Sequence, residues 1–249
     1  MAGHSAWKNI RHKKAAADAK RGKAWSKCAR AIIVAAKSGG DPEANLGLRY
    51  AIDDAKSVNM PKDTIEKAIK KGTGELQGES YESAMYEGYG PNGVAMLLEI
   101  LTDNRNRTAG EVRRIFDKHG GNLGATGCVA YLFAPRGQVL VNKSAAEEEQ
   151  VILAALDAGA EDVQDAGDAW AVLCEVPAFI AVRKAIEAAG IAIESAELTM
   201  MPSTTVQLTG EAAQKTLQLV DALEEHDDVQ KVHANFEIPD GELASLETS

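Results

Sequence analysis

Apolar side chains recur at helical spacing through the first third of the chain. Trp25, Cys28, Ala29, Ile32, Ile33 and Ala36 fall at i, i+3, i+4, i+7, i+8 and i+11, and the stripe stops at Gly39-Gly40. That spacing predicts a helix with one buried face and a glycine end. Asp41-Pro42-Glu43 offers a capping acid, a proline at the first helical position and an acid in the first turn. A second helix is therefore expected to start there, with Leu48, Ala51, Ile52 and Ala55 inward. A third is expected from about Pro61, burying Ile65, Ala68 and Ile69 and ending in Lys70-Lys71-Gly72, where cations meet the negative helix end. Residues 1–76 thus read as a basic arm followed by a three-helix domain.

From Tyr81 the apolar pattern becomes that of strands. Tyr81–Glu87 and Val94–Leu101 flank Gly88-Tyr89-Gly90-Pro91-Asn92-Gly93, a loop with hairpin chemistry. Thr108-Ala109-Gly110-Glu111 predicts a helix start, with Thr108 as cap, Glu111 closing a capping box, and Val112, Ile115 and Phe116 inward. Strands near 137–141, 161–165, 169–176 and 192–200 alternate with helices near 145–158 and 177–190, the βαββαβ order of a ferredoxin-like unit. A last helix, 210–225, would bury Thr216, Leu219, Val220 and Leu223, and a last strand, 229–236, follows it. These two elements complete nothing in the βαββαβ unit, so they are expected to return to segment 81–132. The fold class expected is α+β: an N-terminal three-helix domain plus two α/β domains. The ferredoxin-like one (133–203) is inserted in a discontinuous α/β domain (77–132 and 204–249).

The 249 residues are 45% hydrophobic, enough for two or three domains. The longest purely apolar run, the six residues Ala31 to Ala36, is far short of the roughly 20 that cross a bilayer. No membrane partner is expected. The opening lacks the apolar region of a secretory signal, and Cys28, Cys128 and Cys174 show no C-x-x-C spacing, so a cytoplasmic, reducing location is expected. The formal charge of -10 hides an asymmetry. Residues 1–37 hold ten basic residues and one acid, residues 38–76 six and seven, and residues 77–249 eleven and twenty-nine. Screening over about 8 Å at physiological salt keeps a distant acidic body from cancelling such a basic segment, which can still attract polyanions.

Enzyme and cofactor chemistry finds little support. Gly88-x-Gly90-x-x-Gly93 matches the dinucleotide fingerprint formally, but a strand follows it where a helix is needed, and Pro91 removes an amide. No G-x-x-x-x-G-K-[ST], H-E-x-x-H or G-x-S-x-G occurs, and the histidines at 4, 12, 119, 226 and 233 are scattered. Glu224-Glu225-His226-Asp227-Asp228 reads as a solvated helix end rather than a metal site. A chain with no catalytic residues, no cofactor and no metal is expected.

The strongest chemical signal is the arm. Trp7, Lys8, Arg11, His12, Lys13 and Lys14 mix cations with an aromatic and hydrogen-bonding groups, as phosphate contact plus base stacking requires, and Lys20, Arg21 and Lys23 extend the run. The plainer alternative is a solvated tail whose Trp7 and Ile10 dock on the helical unit. A second cluster lies in the acidic region, where five of eleven basic residues, Arg105, Arg107, Arg113, Arg114 and Lys118, sit within 14 positions, and its candidates for phosphate are Arg105 and Arg107. They precede the helix expected at Thr108, where cations oppose the macrodipole at about 0.3–1 kcal/mol each. A phosphate shared with the helix amides would favour them, as would salt bridges between domains to acidic neighbours.

Several separate motifs, in order, resemble the YebC/PmpR family. They are Met1-Ala2-Gly3-His4-Ser5-x-Trp7-x-Asn9-Ile10, the run Lys-Ala-Ala-x-Asp-Ala-Lys-Arg-Gly-Lys at 14–23, Asn59-Met60-Pro61-Lys62-Asp63, Tyr86-Glu87-Gly88-Tyr89-Gly90-Pro91, Leu101-Thr102-Asp103-Asn104-Arg105-Asn106-Arg107-Thr108 and Gly120-Gly121-x-Leu123-Gly124. Ala6 and Cys128 depart from the family's usual lysine and serine. The resemblance covers essentially the whole chain. It implies a helical N-terminal domain and two α/β domains, one interrupted by the other. It also implies a non-enzymatic regulator of gene expression: bacterial members are described as DNA-binding transcriptional regulators. The mitochondrial relative is a translational activator of cytochrome oxidase subunit I, and bacterial relatives have been linked to ribosomes. The expected partner is therefore nucleic acid, either DNA or ribosomal or messenger RNA, with a ribosome-associated translation factor as the alternative. Nothing in the sequence resembles a helix-turn-helix recognition helix. A hydrolase working through the acidic segments is a weaker third reading.

Overall fold

The computed structural model describes residues 18–239. Three helices come first, α1 (Asp18–Ala36), α2 (Leu46–Ser57) and α3 (Lys62–Gly72). The expected stripes face one another: Ile32, Ile33 and Ala36 are buried with Leu48, Ala51, Ile52 and Ala55 and with Ile65 and Ala68, while Ile69 is half-buried at the edge.

The start of α2 differs from the expectation. Asp41-Pro42-Glu43 forms a turn, in which the Asp41 side chain accepts the Glu43 N–H and the Asp41 carbonyl accepts the Asn45 N–H, both at 2.9 Å. The helix is capped instead by Asn45, whose Oδ1 accepts the Leu48 N–H at 3.1 Å. Its Nδ2 donates at 2.8 Å to the carbonyls of Ala35 and Gly39. One side chain thus satisfies orphan groups at the end of α1 and at the start of α2, which a cap at Asp41 does not do.

The chain then forms β1 (Glu82–Tyr89), β2 (Ala95–Thr102), α4 (Arg105–Lys118) and the short β3 (Asn122–Leu123). It continues through β4 (Phe133–Asn142), α5 (Glu148–Ala155), β5 (Ala160–Asp165), β6 (Ala169–Cys174), α6 (Phe179–Ala188) and β7 (Ser195–Pro202). It ends in β8 (Val206–Gln207), α7 (Gly210–Glu224), β9 (Val229–Ala234) and β10 (Phe236–Glu237).

The hairpin of β1 and β2 is antiparallel from Glu82 against Thr102 to Tyr89 against Ala95, so β1 runs through Gly88 and Tyr89 and its turn is shorter than expected. Gly88 is needed there because a Cβ would lie 2.6 Å from the Asn122 carbonyl of β3. β9 returns to pair antiparallel with β2, giving a four-stranded sheet of order β3-β1-β2-β9. β8 and β10 pair in parallel beside it. Met96, Leu98 and Ile100 of β2 pack under Val112 and Phe116 of α4 and Leu219, Val220 and Leu223 of α7. Ala95 and Leu97 pack on the opposite face with Val129 and Phe133. Burial on both faces accounts for the apolar run Val94–Leu98 that leads into and through the first half of β2.

β4 to β7 form a second sheet of order β5-β6-β4-β7 with every pairing antiparallel. This is the ferredoxin-like arrangement, and it interrupts the other α/β domain. The fold is therefore α+β, a three-helix unit followed by two α/β domains, one inserted in the other.

Two side chains of β9 join the sheets. Lys231 Nζ lies 3.0 Å from Glu197 Oε2 and donates to the Leu198 carbonyl of β7 at 2.9 Å. His233 Nδ1 accepts the Met200 N–H of β7 at 3.4 Å, and its Nε2 sits 2.8 Å from Glu99 Oε1 of β2. Burial pushes the Glu99 carboxyl up, but the imidazole and the Lys231 ammonium outweigh that and hold it below the ordinary range. Among the described residues no helix is long and apolar enough to cross a membrane.

Candidate nucleic-acid interface

Of the arm residues singled out by sequence, Trp7, Lys8, Arg11, His12, Lys13 and Lys14 lie outside the described residues. Lys20 and Arg21 fall in the first turn of α1. Lys23 is exposed, and its Nζ donates to the Glu225 carbonyl at 3.0 Å. Lys27 Nζ donates to the Glu224 carbonyl at 2.8 Å. Arg30 donates to the Asp227 carbonyl and pairs with Asp228 Oδ1 at 3.2 Å. Positions 23, 27 and 30 follow the i, i+4, i+7 rule and so share one face of α1. That face sits on the C-terminal end of α7, where carbonyls lack intrahelical partners and the macrodipole is negative. The tract Glu224–Asp228, expected to be a solvated helix end, is instead the receiving surface for basic side chains. Part of the basic segment therefore serves the fold. Its signal in the sequence was the pairing of a basic row at helical spacing with a distant acidic tract, which spacing alone does not bring together.

The second candidate cluster lies at the start of α4. The helix begins at Arg105, not at Thr108, and its cap is Asn104, whose Oδ1 accepts the Arg107 N–H at 3.1 Å. Thr108 is buried inside the first turns, with Oγ1 2.6 Å from Asp228 Oδ2 and 2.8 Å from Thr102 Oγ1. Arg107 Nη2 lies 2.8 Å from Asp228 Oδ2 and 2.7 Å from Asp103 Oδ1. Arg105 Nε lies 2.8 Å from Glu82 Oε2, and its Nη2 donates to the Ser83 carbonyl at 2.9 Å. Both arginines thus meet carboxylates of their own α/β domain, and these acids offset the conflict with the helix dipole. The bridge to Asp228 from another domain comes from Arg30.

Asp228 is only 3% exposed. Burial pushes its carboxyl up, but hydrogen bonds from Thr108, Arg107 and Thr102 and the charge of Arg30 outweigh that and hold it below the ordinary carboxylate range. Its own N–H donates to His226 Nδ1 at 3.1 Å, and His226 Nε2 lies 3.0 Å from Glu111 Oε2. Arg30 of α1 and the start of α4 therefore converge on one carboxylate. Among the described residues no group of three or more His, Cys, Asp or Glu is placed to hold a metal ion.

Comparisons with known proteins agree with this architecture. Residues 5–75 match the model of the TACO1/YebC protein N-terminal domain, and residues 81–236 match that of the TACO1/YebC second and third domain. A protein of Geobacter sulfurreducens named "probable transcriptional regulatory protein" is 55% identical over 247 residues, 99% of this chain and 100% of its own. One of the same name from Dictyoglomus turgidum is 53% identical over 248 residues, again 99% and 100%. The crystal structure of a conserved hypothetical protein from Aquifex aeolicus superposes with a TM-score of 0.81 at 50% identity, covering 90% of this chain and 93% of that one. With the same domains in the same order from one end to the other, the chain belongs to the TACO1/YebC family.

Proposed function

We propose that the chain is a non-enzymatic regulator of gene expression that binds nucleic acid through its basic N-terminal segment, with DNA as the ligand. The observation that carries this is the charge distribution: ten cations against one acid in residues 1–37, on a body with eleven basic and twenty-nine acidic residues in 77–249. Lys23, Lys27 and Arg30 tie α1 to the body. Lys37 donates to Ser80 Oγ and to the Tyr81 carbonyl, and we assign the other six, Lys8, Arg11, Lys13, Lys14, Lys20 and Arg21, to the ligand. The names of the full-length relatives support a role in transcription. The acidic body repels broad contact with a duplex, and this favours a second reading, in which the segment enters RNA, as a ribosome-associated translation factor would.

If those six cations each neutralise a phosphate, log K against log salt has a slope of about -4 to -5. Deleting residues 1–17, which removes four of the six, lowers the slope by about 3 and leaves the described fold intact. An unchanged slope rejects the assignment. Protection of a discrete duplex site, with specific over nonspecific affinity of at least about a thousandfold, decides for DNA. Salt-sensitive co-sedimentation with ribosomal particles, without duplex preference, decides for RNA.

A further inference from the structure

Three cations on α4 stand apart from the ion pairs of the described residues. Arg113, Arg114 and Lys118 are exposed, and among the described residues none of them makes an ion pair or a side-chain hydrogen bond. In a body so rich in acids such a cluster stands out: of the other eight basic residues of 77–249, Arg105, Arg107, Arg136, Lys143, Arg183, Lys215 and Lys231 reach carboxylates, and Lys184 is the one other described cation without an ion pair. The nearby Glu111 is occupied by His226 and Arg107, leaving Asp117 as the one acid beside the three. Lys118 stands in the last turn, where the helix dipole favours a cation. Arg113 and Arg114 precede that turn, and the dipole effect falls off before it reaches them.

Gly110 lies one turn before the arginines, in the middle of the helix, where glycine costs about 0.5–1 kcal/mol relative to alanine. A Cβ there would meet nothing within 4 Å, so no packing requirement explains the glycine. It leaves the helix backbone bare next to Arg113 and Arg114, its i+3 and i+4 neighbours, with Lys118 one turn beyond Arg114, and a bare backbone permits close approach by another chain. None of the large exposed apolar side chains, Leu46, Leu76, Met85, Tyr131, Leu153 and Leu156, lies on α4. The face thus lacks the aromatic or aliphatic anchors on which protein partners rely. At 1.5 Å per residue the three cations lie about 9–17 Å along the helix from Arg107, which shares Asp228 with Arg30 of α1.

We infer that this face of α4, Arg113, Arg114 and Lys118 around Gly110, is a second contact surface for the sugar-phosphate backbone of the nucleic acid bound by the N-terminal segment. The inference rests on the function proposed above and adds a site on the body to it.

The test uses the full chain with a fluorescein-labelled 20-base-pair DNA duplex and, separately, a single-stranded RNA of the same length, titrated by anisotropy across a range of salt. The triple variant Arg113→Ala, Arg114→Ala, Lys118→Ala is expected to reduce the slope of log K against log salt by about 2–3, from about 0.7–0.9 per lost phosphate contact, with an unchanged melting temperature. The pair Arg113→Lys, Arg114→Lys should keep the wild-type slope. The probe on which the slope falls identifies DNA or RNA as the source of the backbone. If the triple variant keeps its slope while deletion of residues 1–17 lowers it, the α4 site is rejected and the N-terminal assignment stands. If the wild type binds neither probe, both are rejected. Displacement of both probes by polyglutamate at lower concentration than by unlabelled nucleic acid would also overturn the site, by assigning it to an acidic protein.

Discussion

Glu87 lies on β1 with its carboxylate turned into the protein, only 4% exposed, where it takes the place of a sheet partner for a loop. Its Oε1 accepts the Gly127 N–H at 2.6 Å, and its Oε2 accepts those of Val129 and Ala130 at 2.8 Å each. Burial pushes this carboxyl up, but the three amides outweigh that and hold it below its ordinary 4.5. Glu87→Ala leaves the buried Val129 N–H unmet and hands the partly exposed Gly127 and Ala130 N–H groups to water, so a loss of about 1–3 kcal/mol is expected in a urea melt. The depressed pKa values of Glu87, Glu99 and Asp228 also fix the sign of the acid response. A group whose pKa is lower folded than unfolded contributes its full stability above the unfolded value and loses it as pH falls through the folded one. The urea midpoint should therefore show no loss from these three groups between pH 7 and about 5, and should fall below about pH 4. A loss centred near pH 6 would contradict this. Gly110→Ala should act in the other direction, raising stability by about 0.5–1 kcal/mol, because the added methyl meets nothing within 4 Å.

At the scale of elements, what the sequence revealed and what it hid divide along contact range. The stripes of α1, α2 and α7 and the βαββαβ order were legible because periodicity records which face a segment buries, whatever covers it. Helix starts were legible only where the capping group acts locally. Thr108 and Glu111 fit the capping-box pattern, yet the Thr108 hydroxyl goes to Asp228, 120 positions away, and Asn104 caps one turn earlier. Asp41 likewise gave way to Asn45, whose amide also reaches the end of α1. The docking of α1 on α7 was hidden for the same reason, since its contacts span about two hundred positions: 202 for Lys23 and 197 for Lys27. That docking yields a prediction of its own. Lys27→Glu with Arg30→Glu sets acids against the negative end of α7, and should speed protease cleavage within the exposed 73–80 link while helical circular dichroism is retained. Raising salt to about 1 M, where the Debye length is about 3 Å, should do the same to the wild type. Equal cleavage rates in all three conditions would show that these cations do not hold the domains together.

At the scale of the whole molecule, the segment from 224 to 237 meets all three domains. Asp228 receives Arg30 from the helical unit, Lys231 and His233 reach β7 of the inserted unit, and β9 completes the sheet begun by β1 and β2. Burial lowers the Lys231 pKa, but Glu197, Glu99 and Asp54 outweigh that and raise it, so the ammonium stays charged where the three units meet. The pairing of β2 with β9 also has a consequence in time. Chains are made from the N-terminus, so the edge of β2 that carries Met96 to Ile100 is synthesised well over a hundred residues before Val229 to Ala234 can pair with it. The inserted unit, whose four strands and two helices are contiguous in the chain, has everything it needs first. During that interval the nascent protein carries one finished domain and one open hydrophobic edge, the state in which edge strands recruit foreign chains. A chain stopped after residue 203 should then show slow amide exchange in β4 to β7 and fast exchange in β2, and should aggregate through that edge. The distance in sequence that makes the parent domain discontinuous thus makes its returning segment, from residue 204 onward, the step on which the solubility of every newly made copy depends.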